Sequence, residues 1–263
     1  VTGQSVFLAV EGLTLFSPDP FGVDLKSIDL QVHAGEIVGI AGVAGNGQEE
    51  LLAALSGEQS VESPDTIRFA DQGVGHLRPE QRRSLGLAFV PEERLGRGAV
   101  PDMSLRDNAL LTGFLSGLVK RGMVNYKKTE AYAQKIIGDY KVKTPSSETH
   151  ARSLSGGNLQ KFIIGREILQ NPKLLVAAHP TWGVDIGAAT AIHQALIELR
   201  DAGAAILVVS EDIDELFLIS DRLCAICDGE LSPIKPTADT SLEEVGRWMA
   251  GMFATAKAHD LAH

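Results

Sequence analysis

The 263 residues carry 24 Lys+Arg against 34 Asp+Glu, a net charge of −10. That balance argues against a duplex-binding protein, because affinity for nucleic acid comes mostly from Lys and Arg clustered at phosphates. With 44% apolar and 22% charged residues the chain is not disordered by composition, and its length buries a core without disulfides or metal. No apolar run approaches the ~18 residues of a membrane span. The first five residues lack the basic and apolar segments of a leader and include no Met, so a fragment or processed chain is expected. Two cysteines, Cys224 and Cys227, fit a reducing compartment.

Residues 6–15 read as a strand, and residues 27–33 alternate as a half-buried strand does. Residues 36–41 are a short apolar run of the kind buried on both faces. A glycine-rich loop and a helix over 48–55 follow, the helix stopping at Gly57. Residues 59–77 form an excursion with a weak strand at 67–69, and 85–90 is another buried strand, closed by Pro91. From 104 to 140 the chain is rich in Leu, Ala, Lys and Glu with no strand pattern. One helix there is capped by Ser104 and a second covers 127–141. After a helix over 159–170, strands at 174–177, 205–210 and 222–227 alternate with helices at 187–200 and 213–219. Asp228-Gly229 then makes a hairpin turn, and an amphipathic stretch at 241–252 runs into a polar tail. The alternation implies an α/β fold with a covered, mostly parallel sheet. It is read as one domain: a core lobe over 1–98 and 159–240, a helical insert over 99–158, and a C-terminal helix and tail over 241–263.

Gly42, Val43, Ala44, Gly45, Asn46 and Gly47 have the spacing and the strand-to-helix context of a phosphate-binding loop. Such a loop turns backbone N–H groups inward, and the helix N-terminus adds positive charge. The same spacing also makes a plain tight turn. A working loop continues with Lys and then Ser or Thr, where this chain has Gln48 and Glu49. Gln48 offers a neutral hydrogen bond in place of a charge-assisted one, a loss of about 1 kcal/mol. Glu49 placed about 4 Å from a phosphate would repel it by about 4 kcal/mol at an effective dielectric near 20. Otherwise Glu49 and Glu50 are first-turn acids that complement the helix dipole.

Leu154-Ser155-Gly156-Gly157-Asn158 offers a hydroxyl, bare amides and a helix start to an anion. Following the glycine loop, and preceding a buried strand that runs to Pro180-Thr181-Trp182-Gly183-Val184-Asp185, it resembles the signature of the ATP-binding cassette (ABC) ATPases. The resemblance spans roughly residues 6–235. Gly39 to Gln48, Val90-Pro91-Glu92-Glu93-Arg94 and Ala177-Ala178-His179-Pro180-Thr181 are most similar to the second cassette of tandem subunits serving bacterial simple-sugar and nucleoside importers. A start without Met would follow if the first cassette were cut away.

The resemblance implies a P-loop NTPase-like cassette with a mostly parallel sheet, an antiparallel part and a helical subdomain. It implies ATP and Mg²⁺ as ligands, both weak or absent at this chain's own loop. It implies three partners at the cytoplasmic face of the bacterial inner membrane: the first cassette of the same subunit, head to tail; transmembrane permease subunits; and, indirectly, a substrate-binding protein. ATP would touch residues 42–49 on one side and a partner's ATP would touch Ser155, Gly156 and Gly157, with Asp185 crossing the dimer. The family's departures here are consistent in sign. Ala178 and His179 stand where Asp and the catalytic Glu are expected, Glu92 replaces a Gln, and Glu211 replaces the His that contacts the γ-phosphate. His179 is the one residue left as a base. The readings are a cassette dead in cis that lends its signature in trans, a nucleotide-independent scaffold for dimerisation and permease docking, or an active ATPase with an unusual site. Phe16 or Phe21 is expected to stack on adenine, Phe21 equally to be core, and Arg94 and Arg97 to be exposed toward the permease or to solvent. Cys224 and Cys227, three apart on a strand, should face opposite ways and make no metal or redox site.

Overall fold

The computed structural model describes residues 5–253. The chain opens with β1 (Val6–Leu15), β2 (Leu25–His33) and β3 (Glu36–Ala41), then α1 (Gln48–Ser56). Short β4 (Ile67–Phe69) and β5 (Gln72–Gly73), helix α2 (Pro79–Ser84) and β6 (Leu87–Val90) complete the first stretch. Next come α3 (Leu105–Gly113), β7 (Val119–Lys120), β8 (Met123–Val124) and α4 (Tyr126–Asp139). The chain returns through α5 (Gly156–Ile168), β9 (Leu174–Ala178), α6 (Ile186–Asp201), β10 (Ala205–Ser210), α7 (Ile213–Ile219) and β11 (Arg222–Cys227). It closes with β12 (Glu230–Leu231), β13 (Lys235–Pro236) and α8 (Leu242–Met249).

The main sheet runs β12-β11-β3-β10-β9-β6, with β13 on β11. Its inner strands β11, β3, β10, β9 and β6 are parallel. Every residue of β3, β9 and β10 is buried, which is why those segments read as apolar runs without alternation. Their side chains still alternate between two cores. Ile37, Leu175, Ala177, Ile206 and Val208 join one with α5 and α6. Val38, Ile40, Leu174, Val176, Ala178 and Val209 join the other with α1 and the antiparallel sheet β2-β1-β4-β5. The covered, mostly parallel α/β sheet expected from the alternation of elements is observed, with the antiparallel sheet that the family resemblance implies beside it. Among the described residues no helix is long and apolar enough to cross a membrane.

Several boundaries differ from the sequence reading. Strand β6 starts at Leu87 because α2 ends at Ser84 and Gly86 turns at φ +107°; α2 itself was not foreseen. The signature helix begins at Gly156, directly after its Ser155 cap, rather than at 159. A two-residue ladder, β7 with β8, interrupts the insert where only helices were expected. The Asp228-Gly229 turn is as expected, both residues having positive φ as a type I′ hairpin requires. Cys224 is sealed in the second core and burial pushes its thiol up to about 12, while Cys227 is half-exposed. The polar tail beyond residue 253 lies outside the described residues.

Candidate functional site

Two helix starts carry the sequence motifs. The first is at α1, where β3 delivers the loop of residues 42–47. Its last residue, Gly47, is the helix N-cap with φ 104°, and no side chain caps the helix. Gln48 is buried and folds back over the loop. Its Nε2 donates to the Val43 carbonyl at 2.6 Å, and its Oε1 accepts the Asn46 N–H at 2.9 Å. A Cβ on Gly42 would stand 2.6 Å from Ile226 Cγ2 and 3.0 Å from that Nε2, so the first glycine makes room chiefly for Ile226 of β11 and then for Gln48. Asn46 is clamped as well. Its Nδ2 donates to the Val43 carbonyl, its Oδ1 accepts the Asp228 N–H, and its carbonyl accepts the Gly229 N–H.

The Ala44 N–H donates to the carboxylate Oε1 of Glu211 at 2.7 Å. Sheet register brings them together. Ser210 pairs with Ala41 across the parallel β10–β3 ladder, and the Gly42 N–H donates to the Ser210 carbonyl. The residue after Ser210 therefore emerges beside the loop.

Glu50 is tied down too, its Oε1 accepting from Ser17 Oγ and the Val23 N–H, whereas Glu49 is exposed. Solvent screening at Glu49 makes the repulsion estimated from sequence an upper bound. The groove beside the loop, about 450 Å³, is lined by Asp19, Glu49, Glu50 and Glu58 with Arg97 as its cation. Phe21 borders it and is 96% exposed, which removes it from the core; Phe16 is exposed too. Arg97 pairs with Glu58.

The second helix start is at α5. Ser155 is its N-cap, with Oγ accepting the Asn158 N–H at 3.4 Å and the Asn158 amide Nδ2 at 2.9 Å. Ser155 and Gly156 are exposed and Gly157 is half-buried. Behind them Gln160, buried, accepts from Arg94 Nε at 3.0 Å and donates to the Pro180 carbonyl at 2.9 Å. Arg94 also donates to the Trp182 carbonyl. Burial lowers its guanidinium below the ordinary arginine range. Arg94 therefore faces inward, correcting the expectation that it is exposed for docking. It joins the segment after β6 to the signature helix and to the Pro180–Asp185 turn. Asp185 caps α6, its Oδ1 accepting the Ala188 N–H at 2.9 Å. That bond, chiefly, holds its carboxyl below the ordinary value.

The positions expected to handle metal and water lie at the end of β9. Ala178 is buried among apolar side chains and offers no ligand. His179 is buried in the left-handed region at φ 45°, its N–H donating to the Val209 carbonyl. Its Nε2 is 3.9 Å from Glu92 Oε2, and its ring meets that of Trp182 edge-on. A neighbouring hub escaped sequence reasoning. Buried Glu215 accepts from Thr181 Oγ1 at 2.5 Å and Ser210 Oγ at 2.9 Å, and lies 3.0 Å from His193 Nε2. An acid on a helix following a strand is a common pattern, so no sequence signal separated Glu215 from a surface residue. Among the described residues no group of three or more His, Cys, Asp or Glu could hold a metal ion.

Comparisons with known proteins show the family and the fold. A family model described as ABC transporter matches residues 25–182. The chain is 41% identical over 251 residues to the guanosine import ATP-binding protein NupO of Bacillus subtilis (strain 168), covering 93% of this chain and 48% of that protein. It is 36% identical over 237 residues to the glucose import ATP-binding protein TsgD13 of Haloferax volcanii, covering 89% and 43%. The dimeric structure of the bacterial ABC transporter cassette MJ0796 superposes with a TM-score of 0.74 at 20% identity, covering 88% of this chain and 98% of that one. The chain spans about half the length of the curated relatives it matches. It belongs to the ABC transporter family and has the P-loop fold of that family's ATP-binding cassettes.

Proposed function

We propose that this chain is the second, degenerate cassette of an importer subunit for nucleosides or simple sugars, working at the cytoplasmic face of the membrane against permease subunits. Its task is to cover ATP held by the first cassette. The observation that carries this reading is the intact, exposed start of α5. Ser155 is fixed as a cap, Gly156 is exposed with Arg94 Nη1 against it, 2.7 Å from where a Cβ would stand, and the helix behind is braced by Gln160 and Arg94. A helix N-terminus so held favours an anion from outside.

The chain's own loop does not fit Mg²⁺ and ATP turnover. Gln48 and Glu49 supply neither the cation nor the hydroxyl of a working loop. Ala178 has no ligand atom, and His179 has only the distant Glu92 for an acidic neighbour in the salt-bridge range. Hydrolysis needs charge neutralisation at the phosphates and an oriented water, and no step is assigned to this loop. NupO is named for guanosine import and TsgD13 for glucose import, which supports a nucleoside or simple sugar as the cargo class.

Ser155→Arg in the full-length tandem subunit tests the reading. A guanidinium filling the signature should lower transport and ATP turnover by at least ~100-fold, the scale of losing one transition-state donor set, although residues 42–49 are untouched. Wild-type transport from that variant would sink the trans role and leave the scaffold reading, in which the cassette only dimerises and docks.

A further inference from the structure

We propose that Glu211 is a resident anion of the phosphate loop: with Gln48 it occupies two of the loop's amides, those of Ala44 and Asn46, so that the loop keeps its shape without nucleotide and takes triphosphate less readily. The inference rests on the reading of this cassette as degenerate and extends it to the structural consequence. Loss of catalytic residues alone would leave an empty loop whose amides remain open to phosphate. Here the Ala44 N–H is taken by the Glu211 carboxylate and the Asn46 N–H by Gln48 Oε1.

Three independent features make the arrangement part of the fold rather than a chance rotamer. The β3–β10 register sets Glu211 beside Gly42, since Ser210 pairs with Ala41. Gln48 is buried with both ends of its amide bonded to the loop. The Asp228-Gly229 turn locks Asn46 from the other side through its side chain and its carbonyl. A phosphate would therefore have to expel one carboxylate and one amide, and then enter a groove lined by Asp19, Glu49, Glu50 and Glu58. An ionised acceptor on a backbone N–H is stronger than a neutral one, and its charge opposes a second anion at the same amides.

The test uses the 263-residue chain with no nucleotide present. Site-resolved amide hydrogen exchange should find Ala44 protected, and Glu211→Ala should speed its exchange by at least ~10-fold while Asn46 stays protected through Gln48. Equal exchange at Ala44 in the two proteins would overturn the resident anion. Glu211→Gln keeps the shape and an acceptor without the charge, and covers the case in which the alanine variant does not fold. Combined with Gln48→Lys, it should bind Mg-ATP at least ~10-fold more tightly than wild type in equilibrium dialysis. Unchanged or weaker binding would overturn the proposal as well. Neither negative result touches the signature, whose role is decided separately by Ser155→Arg.

Discussion

The starts of α1 and α5 are the same device finished in opposite ways. Glycines mark both starts, in the loop before α1 and in the first turn of α5. Helix α1 has no side-chain cap and carries Glu49 and Glu50 in its first turn; α5 has the Ser155 cap and no acid in its first turn. The first helix compensates its dipole with its own carboxylates, and the second carries none in its first turn. The difference teaches that two glycine-bearing helix starts are distinguished by what already satisfies their amides, more than by the glycines themselves. Anchoring differs in the same sense. Helix α1 is held at its far end by buried Arg82, which donates to the carbonyls of Ala54 and Leu55. Helix α5 is held by buried ions: Arg166 bonds Glu167 and the carbonyls of Asn108 and Gly98, and Arg83 reaches Glu167 from α2.

The largest effect should come from removing the shared acid of that network. Glu167→Ala leaves Arg83 and Arg166 facing each other without a counter-charge, one of them fully buried, and should cost about 3–5 kcal/mol, read as a fall in the urea midpoint. An unchanged midpoint would break the claim that α5 is ion-anchored. The same residue sets an acid limit. Burial alone would push its carboxyl up, but Arg83 and Arg166 outweigh burial and hold it below its ordinary value of 4.5. A carboxyl lower in the folded than in the unfolded chain contributes stability that is complete above the unfolded value and lost as pH falls below it. The urea midpoint of Glu167→Ala should therefore vary less with pH below about 4.5 than that of wild type.

The comparison also marks how far sequence reading reaches. The buried strands were legible because both of their faces are covered, and the two helix starts because glycine spacing and capping residues are local signals. Departures such as Ala178 for Asp needed only a motif in register. What stayed hidden depends on pairings between residues far apart in the chain. Glu211 meets Ala44 only through the register of β10 on β3. Arg94 turns inward only because Gln160 and the Trp182 carbonyl await it. Helix α2 is six residues long, too short for periodicity, and its N-terminus is closed by Gln81 accepting the Arg78 N–H instead of by a Ser or Asp.

Next in size is the brace behind the signature. Gln160→Ala leaves the Pro180 carbonyl and Arg94 Nε without their partner, at a cost of about 2 kcal/mol. Because Gln160 joins α5 to the Pro180–Asp185 turn, the full subunit should lose ATP turnover beyond what thermal stability accounts for. A stability loss with turnover intact would confine Gln160 to packing. The matching probe of the other helix start is Gly47→Ala. At φ 104° a side chain is strained, and its Cβ would lie 3.1 Å from Leu25 Cδ2 and 3.2 Å from Gly229 Cα. The expected cost is about 1.5 kcal/mol, accompanied by faster amide exchange at Asp228 and Gly229 as the turn parts from Asn46. Wild-type stability would mean that the loop is slack, and the contrast with α5 would then lose one of its sides.

The smallest change in stability should come from Ser155, to which we assign the role in trans. A serine hydroxyl has two acceptor sites and one proton to donate. At Ser155 both acceptor sites are engaged by Asn158, through its backbone N–H and its side-chain amide. The proton remains for an acceptor outside the helix, which the proposed cover over a neighbour's phosphate would use. Ser155→Ala removes cap and donor together and should cost only about 1 kcal/mol of stability, yet lower turnover of the full subunit by roughly 10-fold. Ser155→Thr keeps both functions and should retain turnover near wild type. If Thr and Ala variants lose turnover equally, the hydroxyl proton is not what reaches the neighbour, and the backbone amides at Gly156 and Gly157 must carry the contact alone.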